Sequence, residues 1–159
     1  MGIYSVRGLA ATTAVSADVA VAQLWNNSST EYIKVLECGS TVAGTTHARC
    51  YFSRSTARGT AGSTITPDAD NAWDSNKAPS SGALMDLSSF SAQPTLATPP
   101  LHGFHVGASG VGGSGGAGFI YAFPDGIVIP PSDGFVIVNG DAVGWGQSEC
   151  FFVWEELDG

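Results

Sequence analysis

Gly112-Gly113-Ser114-Gly115-Gly116 has the spacing of a nucleophile elbow, G-x-S-x-G, in which a strained strand-to-helix turn exposes a serine hydroxyl. Here the match sits in a Gly-rich run that leads into Phe119–Phe123, a strand by composition, so no helix follows and Ser114 reads as a loop residue. Gly110, Gly112 and Gly115 also spell G-x-G-x-x-G. A dinucleotide site needs the N-terminus of a following helix to hold the pyrophosphate, and the same strand takes its place. His102, His105 and the distant His47 are the candidate ligands of a cupin-like metal site. Three positions apart on a strand, two imidazoles point to opposite faces and would meet only through a bend at Gly103. Structural histidines are therefore expected. Asp68, Asp70 and Asp74 begin like a calcium loop. The fifth position is Ala72, and the required Gly and terminal Glu are missing, which leaves a solvated acidic loop. Glu155, Glu156 and Asp158 could be an acid–base set, but consecutive strand residues point apart and a chain end is a poor rigid support, so they read as a solubilising tail. No arrangement supplies a nucleophile with its base or an acid with an oriented partner. The expectation is a chain that is not an enzyme, with no catalytic, cofactor-binding or metal-binding residues.

The elements that must carry these residues are short apolar runs separated by turn residues, the signature of strands. Candidate strands are Ile3–Val6, Val19–Trp25, Tyr32–Cys38, Ala48–Ser53, Phe104–Val106, Phe119–Phe123, Ile127–Ile129, Phe135–Val138 and Glu149–Glu156, with Thr64-Ile65-Thr66 as a short edge strand. The polar loop Trp25–Glu31 suggests a hairpin between the second and third runs. Along the third, Tyr32, Lys34, Leu36 and Cys38 should share one face and Ile33, Val35 and Glu37 the other. Ser81–Phe90 is the one helix candidate, about two turns capped by Ser81. Gly126–Val138 reads as a β-hairpin with Pro131 presetting the turn and Gly134 taking positive φ. Both its faces are apolar, so it should be covered on both sides, by a second sheet and by a partner subunit. The final strand, Cys150-Phe-Phe-Val-Trp-Glu155, is likewise apolar on both faces until Glu155, as a central strand is. The architecture expected is a single all-β domain, 1–159, a jelly-roll-like antiparallel β-sandwich with long Gly/Ser/Thr-rich loops. Residues 1–18 form an N-terminal arm or edge segment, 56–82 a long loop, and 107–118 a Gly-rich loop. Pro94, Pro99 and Pro100 mark an extended crossing segment between the two loops.

Charged residues make up 13% of the chain, about half the usual share, so the surface offers little electrostatic resistance to neighbours. The net charge of −8 comes with scattered Arg and Lys, which leaves no basic footprint for nucleic acid and disfavours an anionic membrane. Cys38, Cys50 and Cys150 form no CxxC. Buried free thiols from a reducing cytoplasm are expected, with a Cys38–Cys50 disulfide or an intermolecular bridge as the alternative. The N-terminal residues lack the pattern of a signal peptide, so the N-glycosylation patterns at Asn26 and Asn27 read as chance.

Trp25-Asn-Asn-Ser followed by Tyr32–Glu37, the run Arg54–Pro67, the stretch Gly126–Val138 and the closing Phe152-Val-Trp-Glu-Glu156 occur in an order that resembles capsid decoration, or cement, proteins of tailed bacteriophages. The Gly107–Gly118 loop is longer than that pattern needs. The resemblance implies a structural virion protein on the outer surface of the capsid, assembled in the host cytoplasm. Its partners would be the major capsid protein, whose subunits it bridges, and itself, as a homotrimer or else a dimer. Ile3, Tyr4, Val6, Arg7, Arg54, Arg58 and Trp73 are the expected capsid or subunit contacts. Two other readings are carried with it. A jelly-roll module of a phage fibre would bind a glycan or receptor through exposed Trp73 or Tyr121. A cupin-like metalloenzyme would use His47, His102 and His105.

Overall fold

The computed structural model describes residues 2–10, 16–43, 47–74, 76–87, 89–106 and 117–157. The apolar runs form strands β1 (Ile3–Ala10), β2 (Val19–Trp25), β3 (Tyr32–Val42), β4 (Ala48–Ala57), β5 (Ser63–Ile65), β6 (Leu84–Leu87), β7 (Thr95–Leu96), β8 (His102–Val106), β9 (Ala117–Ile129), β10 (Gly134–Asn139) and β11 (Ser148–Leu157). A four-stranded sheet runs β1-β11-β3-β9, and a seven-stranded sheet runs β5-β6-β2-β10-β4-β7, with β8 also on β4. All the pairings are antiparallel. Alternate residues of both sheets meet in one core that includes Val6, Val35, Phe52, Phe135, Phe152 and Trp154. The protein is an all-β antiparallel sandwich. With the short strands β5, β6 and β7 of the 58–101 connection set aside, the other eight strands run first-eighth-third-sixth in one sheet and second-seventh-fourth-fifth in the other. That order is the jelly-roll wrap.

The wrap corrects both expected hairpins. β2 and β3 lie in different sheets, and so do β9 and β10. Their connections are arches that cross the core, and residues on either side of the Pro-Pro tip pair with other strands. The two arches are tied by Asn26, which is fully buried. Its Nδ2 donates to the carbonyls of Glu31 (2.8 Å), Ile129 (3.3 Å) and Pro130 (3.0 Å). Its backbone N–H donates to the Asp133 carbonyl (2.9 Å), and its carbonyl accepts from Ser132 N–H (3.1 Å). Positive φ in this tip falls at Ser132 (59°), not at Gly134. Gly134 is there for closeness: a Cβ would stand 2.6 Å from Ser55 Oγ.

Both faces of β10 are covered, as its composition requires, but by this chain alone. Phe135 and Ile137 enter the central core, whereas Val136 and Val138 pack with Phe90 and Leu96 of the crossing segment on the outside of the sheet. The two-sided apolarity therefore does not demand a partner subunit. β11 is the expected central strand, flanked by β1 and β3. The expected helix at Ser81–Phe90 is instead a turn leading into β6, which pairs Leu84–Leu87 with Trp25–Ala22 of β2. A two-turn helix is marginal by itself, and pairing on an open edge satisfies the same backbone groups while burying Met85 and Leu87. In β3 the expected alternation holds through Val35 and then slips. Val35 and Glu37 face the consecutive residues Trp154 and Val153, so Leu36 is a bulge and Cys38 joins Ile33 and Val35 in the core. Ala10 ends β1 and Val19 opens β2, while residues 11–15 and 107–116, including the G-x-S-x-G match, lie outside the described residues.

Candidate functional site

The outer face of the four-stranded sheet carries a groove of about 740 Å³ that crosses all its strands. Phe151 and Val153 of β11 form its floor, with Glu37 and Thr41 of β3 beside them. The floor is low because Gly39 stands opposite Phe151. A Cβ on Gly39 would collide with the Phe151 ring and come within 2.6 Å of the Phe119 carbonyl oxygen. Ile120 of β9, 72% exposed, closes one end, and Trp73, 65% exposed, closes the other.

Trp73 reaches the groove because the long loop folds back on β1. Asp68 caps a 3-10 turn at Ala69–Asn71: its carboxylate accepts from Asp70 N–H (2.9 Å), while Asn71 Oδ1 accepts from Asp68 N–H (3.0 Å). The chain then pairs Ala72 with Tyr4, and Trp73 N–H donates to the Ile3 carbonyl (2.8 Å). Asp74 Oδ1 accepts from Ile3 N–H (3.1 Å). Two of the three aspartates thus hold backbone geometry. The indole Nε1–H donates to Ser5 Oγ (2.8 Å), which fixes the ring. Arg7 lies 3.5 Å from Glu149 at the rim, an exposed pair of little energetic weight.

Of the seven expected contact residues, Val6, Arg7 and Trp73 line the groove, and Ile3 holds the loop. Tyr4 and Val6 offer a neighbour almost no surface. Both are 3% exposed and point into the core, where Tyr4 stacks on Trp154 at 5.6 Å, since the period of two turns the even positions of β1 inward. Arg54 lies on β4 in the other sheet, opposite Phe135. Arg58 is committed to its own chain: Nε and Nη2 each donate at 2.7 Å to the carboxylate of Asp86, a fully buried side chain. Tyr121 is not beside Trp73. It packs half-buried between the sheets, 5.3 Å from Phe52 and 5.0 Å from His102. Ile120, Phe151, Glu37 and Gly39 were not singled out from sequence. The alternation Phe119-Ile120-Tyr121 does mark Ile120 as the outward residue once the aromatics are assigned to the core.

The remaining chemistry is dispersed. His47, His102 and His105 are exposed, and among the described residues no three His, Cys, Asp or Glu side chains form a group that could hold a metal. Glu156 is a correction to the tail reading: it is 6% exposed and accepts from Ser81 N–H (2.7 Å) and Ser80 Oγ (3.0 Å), anchoring the turn before β6. Glu155 pairs with Lys34 at 2.7 Å. Asp158 lies outside the described residues.

Cys38, Cys50 and Cys150 are buried free thiols, as expected. Burial pushes all three upward. For Cys150 it acts against the Ser40 hydroxyl 3.2 Å away, and the thiol is held at about 11. Thiolate is the reactive form, so at pH 8 a chromogenic disulfide reagent should label the native protein at least about 100-fold more slowly than the denatured one. Three thiols per chain should appear on denaturation. The pH dependence has a definite sign. Below the ordinary value of 9.0 both states carry neutral thiols; between 9.0 and about 11 the unfolded chain ionises first, so stability falls as pH rises through that window. Denaturant titrations across pH 8–11 check it, and a midpoint that rises would contradict the burial described here.

No helix among the described residues is long and apolar enough to cross a membrane. In comparison with known proteins, the chain matches no protein-family model and no curated sequence.

Proposed function

We propose that this chain is a structural protein of a tailed-bacteriophage virion, a decoration protein that sits as a homotrimer on the outer capsid surface and bridges major capsid protein subunits. The observation that carries this reading is the outer edge of β9. Among the described residues β9 pairs only with β3, and its first half, Ala117-Gly-Phe-Ile-Tyr-Ala122, is uncharged. An isolated sandwich guards such an edge with Lys, Pro or a bulge. Here Pro124 and the bulge at Phe123–Gly126 guard only the second half. On the other edge of the same sheet, the 71–74 segment covers β1. Among the described residues one edge is covered and the other is open, an arrangement that suits a protein that adds to a neighbour. A repeating lattice multiplies weak contacts of this kind.

The test is copurification with phage heads and the copy number found there. Hundreds of copies per particle are expected from a decoration role. Ala122→Lys, on an exposed edge position, should reduce head binding and self-association at least about tenfold while leaving the unfolding midpoint unchanged. A strictly monomeric chain that ignores undecorated heads at micromolar concentration would overturn the proposal.

A further inference from the structure

We infer that the groove across the four-stranded sheet is a binding site for a neutral oligosaccharide, with Trp73 as its stacking platform. This does not rest on the capsid reading. Three of the four tryptophans, Trp25, Trp145 and Trp154, are at most 8% exposed, and Trp73 alone is left out at 65%. Its indole donor is spent on Ser5 Oγ and its backbone donor on Ile3, so what its side chain offers a ligand is a fixed aromatic face and no hydrogen-bond donor. A fixed ring loses little conformational freedom on binding. The C–H face of a pyranose is the chemistry that matches such a platform, and sugar hydroxyls need donors and acceptors close by. The rim supplies both, with Arg7 as donor and the carboxylates of Glu37 and Glu149 as acceptors.

The shape and charge narrow the ligand. The groove crosses the strands on their face, where no open backbone ladder is available to an extended peptide. A net charge of −8 disfavours acidic glycans and nucleic acid, which leaves neutral sugars. A volume of 740 Å³ lies in the usual range for ligand sites and accommodates about two to three hexose units. Gly39 keeps the floor low enough for the ring edges to descend onto Phe151.

Tryptophan fluorescence is a selective probe, because Trp73 is the one exposed indole. The purified full chain is titrated with maltotriose, cellotriose, chitotriose and, as the acidic arm, 3′-sialyllactose, with acrylamide quenching and calorimetry as readouts. At least one neutral trisaccharide should shield Trp73 from acrylamide, and 3′-sialyllactose should bind at least about tenfold more weakly. Trp73→Ala should abolish the calorimetric signal. Glu37→Gln, which leaves the platform and its anchors in place, should weaken binding about five- to tenfold. Three results would overturn the inference: no neutral trisaccharide protecting Trp73 at millimolar concentration, undiminished binding in Trp73→Ala, or Trp73 already shielded in the free protein in a concentration-dependent way, which would mark the groove as a contact between copies. Head binding plays no part in these readouts, so this inference and the capsid reading fail separately.

Discussion

Phe52→Ala should destabilise the protein by about 3–5 kcal/mol, a large share of the about 5–15 kcal/mol available to a domain of this size. Phe52 is fully buried on β4 and touches five rings. Phe104 (5.4 Å) and Phe135 (5.6 Å) belong to its own sheet, and Phe119 (6.0 Å), Tyr121 (5.3 Å) and Phe123 (5.7 Å) to the opposite one. Truncation removes apolar contact and leaves a cavity between two hydrogen-bonded sheets that cannot collapse without breaking their ladders. Phe52→Leu, which keeps most of the volume, should cost less than half as much. Guanidinium unfolding followed by far-UV circular dichroism measures both. A loss below about 1 kcal/mol for the alanine variant would mean that this ring does not hold the sheets together.

Arg58→Ala should cost about 2–4 kcal/mol. The Asp86 carboxylate is fully buried and accepts from Arg58 Nε (2.7 Å), Arg58 Nη2 (2.7 Å) and Thr64 Oγ1 (2.6 Å). Hydrogen bonding to that carboxylate holds the guanidinium above its ordinary value. Removing the arginine leaves a buried charge with one neutral donor. The lower bound allows for the guanidinium's own exposure, 34% of its side chain. Arg58→Lys should recover little, because an ammonium cannot reproduce the two-point fork. Arg58→Ala with Asp86→Leu should recover stability relative to the single variant, since no charge is then stranded. Equal midpoints for Arg58→Ala and the parent protein would show that Asp86 does not depend on the pair.

The second prediction concerns how one continuous segment, 58–101, is bound to the sandwich. Arg58 and Asp86 tie its start to β6, and Phe90 and Leu96 lie over Val136 and Val138. A long loop rich in Ser, Thr and Gly reads from sequence as a surface reaching outward. In the folded chain it covers the outer face of one sheet and the edge of the other. Among its described residues Trp73 is the most exposed large hydrophobic side chain.

What the residues alone determined was strand content and the apolar demand of each strand. Val19–Trp25 needed no revision, the central position of β11 followed from its two apolar faces, and buried thiols followed from an odd set of cysteines without CxxC. These depend on period-two patterning and burial, which are local. Which strand lies beside which is not local. A Pro-Pro-Ser-Asp-Gly turn is compatible with a hairpin and with an arch, and only the competition among all the strands for partners sent β9 and β10 into different sheets. The groove was out of reach for the same reason. Phe151, Glu37, Ile120 and Trp73 lie far apart along the chain and share a surface only because β11 is threaded between β1 and β3, and because Asn71 and Trp73 hydrogen-bond back to β1.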